Sequence, residues 1–226
     1  SEALITVLSA VNSQINSNEF NQLFQIQANK VIRCQDINYE SVKEHPFYLL
    51  ELKLDEKRPQ TFIELISTYN DNPERIDEYV VKGYGAHTAY LSNQIISFPY
   101  AVLIDIQRFT ISETGSMLKK IVQDLEIPLS INFNKMICNT KNTNSNSKSI
   151  SVQLPSDDPN TDLYTLQSLI VHSGSADNGR FHANIRRDPK SSKWLEFRSY
   201  EVSEIETSAA VNSTDSICLL YTLSSK

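Results

Sequence analysis

The stretch Tyr164-Thr165-Leu166-Gln167-Ser168-Leu169-Ile170-Val171-His172-Ser173-Gly174 is largely apolar, carries no Asp, Glu, Lys or Arg, and ends at a glycine. This composition predicts a β-strand over residues 163–172. Three more strand-like runs follow it, at residues 180–186, 194–197 and 217–223. Because the connections between these runs are short, they favour hairpins and an antiparallel sheet.

Upstream of these strands, the sequence predicts both helices and strands. An amphipathic N-terminal helix is indicated by apolar residues at helical spacing: Leu4, Val7, Leu8, Val11 and Ile15. Residues 48–54 alternate between apolar and polar, which indicates a half-buried strand. A short helix is predicted from Thr61, whose hydroxyl can cap it. Further strand-like runs are residues 24–34, 95–98 and 101–109.

A polar tract interrupts the second half of the chain. Residues 139–148 read Asn-Thr-Lys-Asn-Thr-Asn-Ser-Asn-Ser-Lys, a composition that buries little surface and predicts a mobile loop. The segments on both sides of this tract supply strands to the same predicted sheet. We therefore expect residues 1–226 to form a single domain of the α+β class with an antiparallel β core and flanking helices.

Charge and composition exclude several classes of protein. Lys and Arg number 21 against 27 Asp and Glu, which gives a formal net charge of −6. This charge argues against a nucleic-acid partner and against a polybasic membrane-surface protein. No apolar run is long enough to span a membrane, and no signal peptide is visible. The three cysteines, Cys34, Cys138 and Cys218, are odd in number and far apart. We therefore expect no disulfide framework and a cytoplasmic or nuclear location.

Glycine and histidine usage narrows the chemistry further. Only 5 glycines occur, and neither a dinucleotide fingerprint, nor a phosphate-binding loop, nor a Gly-x-Ser-x-Gly elbow is present. Neither Cys-x-x-Cys nor His-Glu-x-x-His occurs, so no metal or other cofactor is expected. The four histidines are scattered: His45, His87, His172 and His182. Of these, only His172 and His182 could meet, if their segments pair as neighbouring strands.

The order of several motifs resembles that of the ubiquitin-specific proteases, the ubiquitin carboxyl-terminal hydrolases of peptidase family C19. The strand quoted above resembles the one that precedes their catalytic histidine. In matching order come Gly179-Arg180-Phe181, Lys193-Trp194-Leu195-Glu196-Phe197, Val202 and Ile217-Cys218-Leu219-Leu220-Tyr221. Earlier matches are Ile106-Gln107-Arg108-Phe109, Lys120-Ile121 and Leu125-Glu126-Ile127-Pro128-Leu129. The segments Val31-Ile32-Arg33-Cys34, Tyr39-Glu40-Ser41 and Phe47-Tyr48-Leu49-Leu50-Glu51-Leu52 resemble the herpesvirus-associated member.

The resemblance implies a papain-like cysteine proteinase fold of which this chain holds the palm and the fingers, without the thumb. It also implies a triad of cysteine, histidine and an orienting carboxylate or amide. Arg180 occupies the position that the motif gives to the histidine, and arginine cannot accept a proton. Arg198 and Ser199 follow Phe197, where the orienting acid is expected. The cysteine box is missing, and the three cysteines of the chain are expected to be structural.

One alternative for the histidine remains open. His182 lies two residues beyond Arg180, so both side chains point to the same face of a strand. The separation along the strand is about 6.5 Å, which is too long for His182 to replace a hydrogen-bonded base at the position of Arg180. His172 is expected to be a packed core residue.

Three functional hypotheses follow from these residues. The leading one is a catalytically inactive ubiquitin-specific-protease-like domain that serves as a protein-binding or scaffold module. Another protein is then the main partner, and ubiquitin binds weakly or not at all because Arg180 and Arg198 repel its arginine-bearing tail. The alternatives are part of an active thiol-dependent deubiquitinase and an unrelated α+β interaction domain.

Overall fold

A computed structural model describes residues 2–15, 18–71, 73–111, 115, 117–138, 162–188, 191–211 and 214–224. The polar tract at 139–148, with its predicted mobility, lies outside these residues. The helices are α1 (Glu2–Ile15), α2 (Asn18–Phe24), α3 (Phe62–Asp71), α4 (Phe133–Cys138) and α5 (Thr207–Ala210). Within the described part of the chain, no helix has the length and apolar character needed to cross a membrane.

The strands form one sheet of eight strands, called the larger sheet below, one sheet of four strands and one small hairpin. The strands before residue 100 are β1 (Gln27–Cys34), β2 (Tyr39–Glu44), β3 (Leu49–Lys53), β4 (Glu74–Val81) and β5 (Gly85–Ser97). Those in the middle of the chain are β6 (Ala101–Gln107), β7 (Phe109–Ile111), β8 (Leu118–Lys120) and β9 (Ser130–Ile131). The last are β10 (Tyr164–Gly174), β11 (Gly179–Arg186), β12 (Lys193–Arg198), β13 (Glu201–Glu206) and β14 (Ser216–Leu223).

The larger sheet has the order β13-β12-β11-β10-β14-β6-β3, with β9 pairing onto β10. Its pairings are antiparallel except that of β3 with β6, which is parallel. A separate four-stranded antiparallel sheet has the order β2-β1-β5-β4. Strands β1 and β2 of this second sheet precede β3 in sequence, whereas β4 and β5 lie between β3 and β6.

The larger sheet is covered on both faces over part of its width. Leu50, Ile104, Leu219 and Leu169 are cross-strand neighbours on one face, where they join the main core together with Phe62 of α3 and Phe133 of α4. The adjacent row, Leu49, Leu103 and Leu220, faces the opposite way and packs against α1 and α2 through Leu8 and Phe20. Full burial of one such leucine contributes about 1.5–3 kcal/mol.

Most of the predicted elements are confirmed, with shifted ends. The four strand-like runs after residue 162 form β10, β11, β12 and β14, and their pairings are antiparallel as expected. Helix α3 begins after Thr61, whose Oγ1 accepts a hydrogen bond from the Glu64 N–H, while the Glu64 carboxylate accepts one from the Thr61 N–H. The strand predicted from residue 24 begins at Gln27, because Phe24 ends α2.

Two cations are buried beneath the ends of β10 and β14. Arg108 is fully buried, and its guanidinium donates to the carbonyls of Ser216 (2.8 Å) and Gln123 (2.9 Å). Burial lowers the pKa of Arg108 to about 10. Lys120 donates to Asp215 Oδ1 at 2.6 Å and to the carbonyls of Gly174 and His172. These bonds tie β8, β10 and the start of β14 together.

Gly179 opens β11 and lies directly against an imidazole. A Cβ built at Gly179 would stand 2.1 Å from the His172 ring. That ring is held between Phe109 and Phe181, with centroid separations of 5.0 and 4.7 Å. Because the ring has aromatic neighbours on two sides, it cannot move away from a side chain added at Gly179.

Replacing Arg108 with Met is expected to lower the free energy of unfolding by about 3–5 kcal/mol, because several buried carbonyls lose a charged donor. Urea unfolding followed by far-UV circular dichroism measures this change. The matched control is Lys119→Met, which removes only an exposed ion pair with Glu56 and is expected to cost less than about 1 kcal/mol. Equal losses in both variants would contradict the role given to Arg108.

Gly179→Ala is expected to lower the free energy of unfolding by about 1–3 kcal/mol through overpacking against His172. In a His172→Ala background the same substitution should cost less, because the obstructing ring is gone. A double-mutant cycle by urea unfolding measures the difference. Additive effects of the two substitutions would show that the contact between Gly179 and His172 is not the cause.

Candidate functional site

The candidate site lies on one face of the β11–β12 hairpin. The two strands pair antiparallel, with Arg186 opposite Trp194, Asn184 opposite Glu196 and Ala183 opposite Phe197. One step further along this register brings His182 opposite Arg198. Because alternate residues of a strand point to the same side, His182, Glu196 and Arg198 share a face. These three residues are called the His182 cluster below.

The side chains of the His182 cluster contact each other in a short chain. His182 Nε2 lies 3.5 Å from Glu196 Oε1, and Arg198 Nε donates to Glu196 Oε2 at 2.8 Å. The side chains of His182 and Glu196 are 7% and 15% exposed, whereas that of Arg198 is 56% exposed. A nearly buried histidine therefore touches a carboxylate whose other oxygen is bound to an arginine.

The surroundings of His182 favour its neutral form. Burial lowers the pKa of His182 and the positive charge of Arg198 lowers it further, against smaller opposing effects of Glu196 and Asp215. A neutral imidazole can accept a proton, which is the chemical requirement for a general base. The pairing of such an imidazole with a carboxylate is also the arrangement that orients a base in triad enzymes.

Arg180, Arg198 and Ser199 were expected at the catalytic positions, and the structure separates them. Arg198 belongs to the His182 cluster. Arg180 lies two residues before His182, near the start of β11 and opposite Ser173 of β10, and its side chain is exposed. Ser199 lies in the turn after β12 with a positive φ of 50°. His182, and not Arg180, is therefore the residue that faces Arg198.

Sequence reasoning left His182 as an open alternative, disfavoured by its distance from Arg180, and it did not consider Glu196. The register of the hairpin is the signal that could have found both residues. Counting back from the pair Arg186 and Trp194 across an antiparallel hairpin places His182 opposite Arg198. The spacing of two residues between Glu196 and Arg198 puts their side chains on one face.

Neither Cys34 nor Cys218, the two cysteines whose side chains the structure describes, supplies a thiol to this face. Cys34 is buried in β1 of the four-stranded sheet, and burial raises its pKa. Cys218 lies on β14 opposite Ile170, whereas His182 lies opposite Val171, so the two side chains point to opposite faces. Burial and the nearby Asp105 carboxylate raise the pKa of Cys218 to about 11. Cys138 is the last residue of α4.

His172 and His182, the two histidines that could have met, do not come together. Their strands do pair, but His172 lies opposite Phe181 and His182 opposite Val171, which directs the two rings to opposite faces of the sheet. His172 is 3% exposed, as expected of a core residue, and burial and the charge of Lys120 lower its pKa. Among the described residues, no group of three or more His, Cys, Asp or Glu side chains could hold a metal ion.

Solved structures share this fold. A yeast SAGA DUB module containing an Sgf73 mutant aligns with a TM-score of 0.70 at 18% identity, over 94% of this chain and 44% of that one. The SAGA Ubp8/Sgf11/Sus1/Sgf73 DUB module bound to ubiquitin aldehyde aligns with a TM-score of 0.68 at 18% identity, over 90% and 42%. These likenesses establish the expected fold of the ubiquitin-specific protease type.

Curated proteins match most of the chain. Ubiquitin carboxyl-terminal hydrolase 15 of Schizosaccharomyces pombe is 24% identical over 80% of this chain and 14% of its own length. Ubiquitin C-terminal hydrolase 12 of Arabidopsis thaliana is 26% identical over 84% of this chain and 16% of its own length. This chain therefore corresponds to about one seventh of these relatives.

A family model covers nearly all of the sequence. The model described as ubiquitin carboxyl-terminal hydrolase matches residues 2–221, which include strands of the eight-stranded and the four-stranded sheet and the His182 cluster. The chain belongs to the ubiquitin carboxyl-terminal hydrolase family.

Proposed function

We propose that this chain is a ubiquitin-specific-protease-like domain that binds other proteins and does not itself cleave isopeptide bonds. The position of Arg198 carries the proposal. It lies opposite His182, where the family resemblance calls for the acid that orients the catalytic histidine. Its guanidinium binds the Glu196 carboxylate, which lies 3.5 Å from His182.

A cation in this position opposes catalysis for an electrostatic reason. General base catalysis passes through an imidazolium, which a neighbouring carboxylate stabilises and a neighbouring guanidinium destabilises. Arg198 lowers the proton affinity of His182 directly, and it also binds the carboxylate that would otherwise stabilise the imidazolium. Cys34 and Cys218 cannot compensate, because neither lies on the face of the His182 cluster and the pKa of each is raised.

The sheet also presents a surface suited to protein contacts. Ile170, Ala183, Phe197 and Val202 are neighbours across four strands, on the face opposite to the His182 cluster. Phe181 and Val202 are 64% and 59% exposed, and Ile170, Ile185 and Phe197 are about 40% exposed. Contiguous exposed apolar surface of this kind marks interaction sites.

The remaining features of the proposal concern partners and setting. The SAGA DUB module structure that resembles this chain contains the proteins Sgf11, Sus1 and Sgf73 and ubiquitin aldehyde, and we propose another protein as the main partner here. We propose a cytoplasmic or nuclear setting, one domain over residues 1–226, and a nearest likeness to the herpesvirus-associated type. That likeness rests on segments in β1, in β2 and in and just before β3.

A second function is favoured by one observation, the contact between His182 and Glu196. If another part of the protein brings a cysteine to this face, His182 is a candidate base and Glu196 a candidate orienting residue. The chain would then be one half of a deubiquitinase with its carboxylate two residues before the usual position.

Activity distinguishes the two functions. The natural full-length protein is expected neither to hydrolyse a fluorogenic ubiquitin amide nor to react with ubiquitin that carries a thiol-reactive C-terminus. Arg180→His combined with Arg198→Asp should not restore turnover, because neither Cys34 nor Cys218 lies on that face. The second function predicts turnover that falls at least about 100-fold in His182→Gln. The matched control is His45→Gln, an exposed histidine before β3, which should leave turnover unchanged. Turnover that falls in His182→Gln and not in His45→Gln would overturn the proposal.

Ubiquitin binding tests the choice of partner. We expect a dissociation constant no tighter than the order of 100 µM, about −5.5 kcal/mol, because the cations Arg180 and Arg198 face a basic ubiquitin tail. Titration of labelled ubiquitin onto the purified chain, followed by fluorescence anisotropy, measures it. Replacing both arginines with Gln should strengthen binding if repulsion is the cause. Binding in the micromolar range or tighter would make the domain a ubiquitin receptor instead.

A further inference from the structure

Two hairpin turns of the four-stranded sheet meet at one histidine. His87, near the start of β5, places Nδ1 2.5 Å from Oδ2 of Asp36, which lies in the turn between β1 and β2. Its Nε2 lies 3.0 Å from the carbonyl oxygen of Tyr84, in the turn between β4 and β5. The imidazole therefore joins turns that are separated by about fifty residues of sequence.

The chemistry of the two partners fixes the protonation that both contacts require. A carboxylate and a carbonyl accept hydrogen bonds and cannot donate them. A neutral imidazole has a single N–H, so it can donate to one of the two partners only. Both contacts become hydrogen bonds only when both ring nitrogens carry a proton, and the side chain is then an imidazolium facing a carboxylate.

We propose that His87 is a proton-dependent latch, which joins the β1–β2 turn to the β4–β5 turn as an imidazolium and releases one of them as a neutral imidazole. This is a property of the four-stranded sheet, and it does not depend on the function proposed for the His182 cluster.

The groups around the latch leave Asp36 as its charged partner. Tyr79 of β4 lies directly opposite His87. Cys34 of β1 belongs to the same small cluster as Tyr79, and the centroid of the Tyr39 ring of β2 lies 6.5 Å from that of Tyr79. A thiol and two phenols are uncharged near neutral pH. The pKa values of Cys34 and Tyr79 are raised, mainly by burial, which keeps both neutral.

The pKa values of His87 and Asp36 shift in opposite directions, as expected of an ion pair. The hydrogen bond to Asp36 raises the pKa of His87 above its ordinary value of 6.5, and the same bond lowers the pKa of Asp36 below 3.8. Stabilisation from His87 is complete below pH 6.5 and is lost as the pH rises through its raised value. The contribution of Asp36 is lost only when the pH falls below 3.8.

Besides the latch, the β1–β2 turn is held by Ile37, which packs against the small cluster described below. The ladder between β1 and β5 ends at the pair Arg33 and Tyr90, before the turn is reached. The buried cluster beneath the turns is small and separate from the main core, with Cys34, Val81 and Ala89 at its centre. Opening the latch therefore loosens the turn locally, where the packing of Ile37 remains, and leaves the main core untouched.

Nuclear magnetic resonance of the purified chain tests the latch. Side-chain titration should give His87 a pKa above 6.5 and the reference His45, whose pKa burial lowers, a value below 6.5. Asp36→Asn should weaken proton binding by His87 about tenfold and leave His45 unchanged. Amide exchange in the β1–β2 turn, corrected for intrinsic rates, should be faster at pH 8.5 than at pH 6.

Two outcomes would overturn the proposal. One is a pKa of His87 that Asp36→Asn does not lower. The other is corrected exchange in the turn that is the same at both pH values. Because amide exchange is measured on the unaltered chain, the second outcome tests the proposal even if Asp36→Asn does not fold.

Discussion

Burial of Arg108 and Lys120 is the constraint on which the rest of the structure depends. A cation removed from water costs several kcal/mol unless its donors are satisfied, and here the acceptors are main-chain carbonyls and Asp215. Satisfying them fixes the ends of β10 and β14 and the segment after β6 relative to one another. Strand β6 stops at Gln107, where the Arg108 N–H donates back to the Ile106 carbonyl.

The geometry of the candidate site depends on the hydrogen bonds of these two buried cations. Strand β10 is held at its end by Lys120, and β11 is paired to β10 and β12 to β11, so the position of His182 opposite Arg198 follows from two ladders. The packing of His172 against Gly179 keeps the hairpin between β10 and β11 tight. The side chains of the site can therefore change character while the backbone that presents them stays the same.

Sequence patterns predicted the elements whose local signals are strong. The capping box at Thr61 and the alternation before Leu54 agree with α3 and β3, because caps and period-two burial are local properties. Strands β4 and β13 were missed, because Glu-Arg-Ile-Asp-Glu-Tyr and Glu-Val-Ser-Glu-Ile-Glu are exposed edge strands rich in charge. Edge strands of this composition discourage aggregation and carry little hydrophobic pattern.

The candidate site was predicted less well than the fold, because a site depends on register. A displacement of two residues along β11 keeps every side chain on its face and leaves the hydrophobic pattern intact, yet it exchanges Arg180 for His182 opposite Arg198. Family motifs locate a hairpin to within a few residues, whereas cross-strand pairing decides which side chains meet. Glu196 escaped notice for the same reason, since its role arises only from its neighbours across and along the sheet.

The insertion of β4 and β5 between β3 and β6 has a consequence for how the chain folds. Strands β3 and β6 are parallel neighbours, so they cannot pair until the intervening segment has brought its own ends together. Antiparallel pairing of β4 with β5 shortens that loop in advance and reduces the entropy lost on closure. Early pairing of β4 with β5 is thus expected to speed the folding of a topology rich in contacts between distant residues, the kind that otherwise folds slowly.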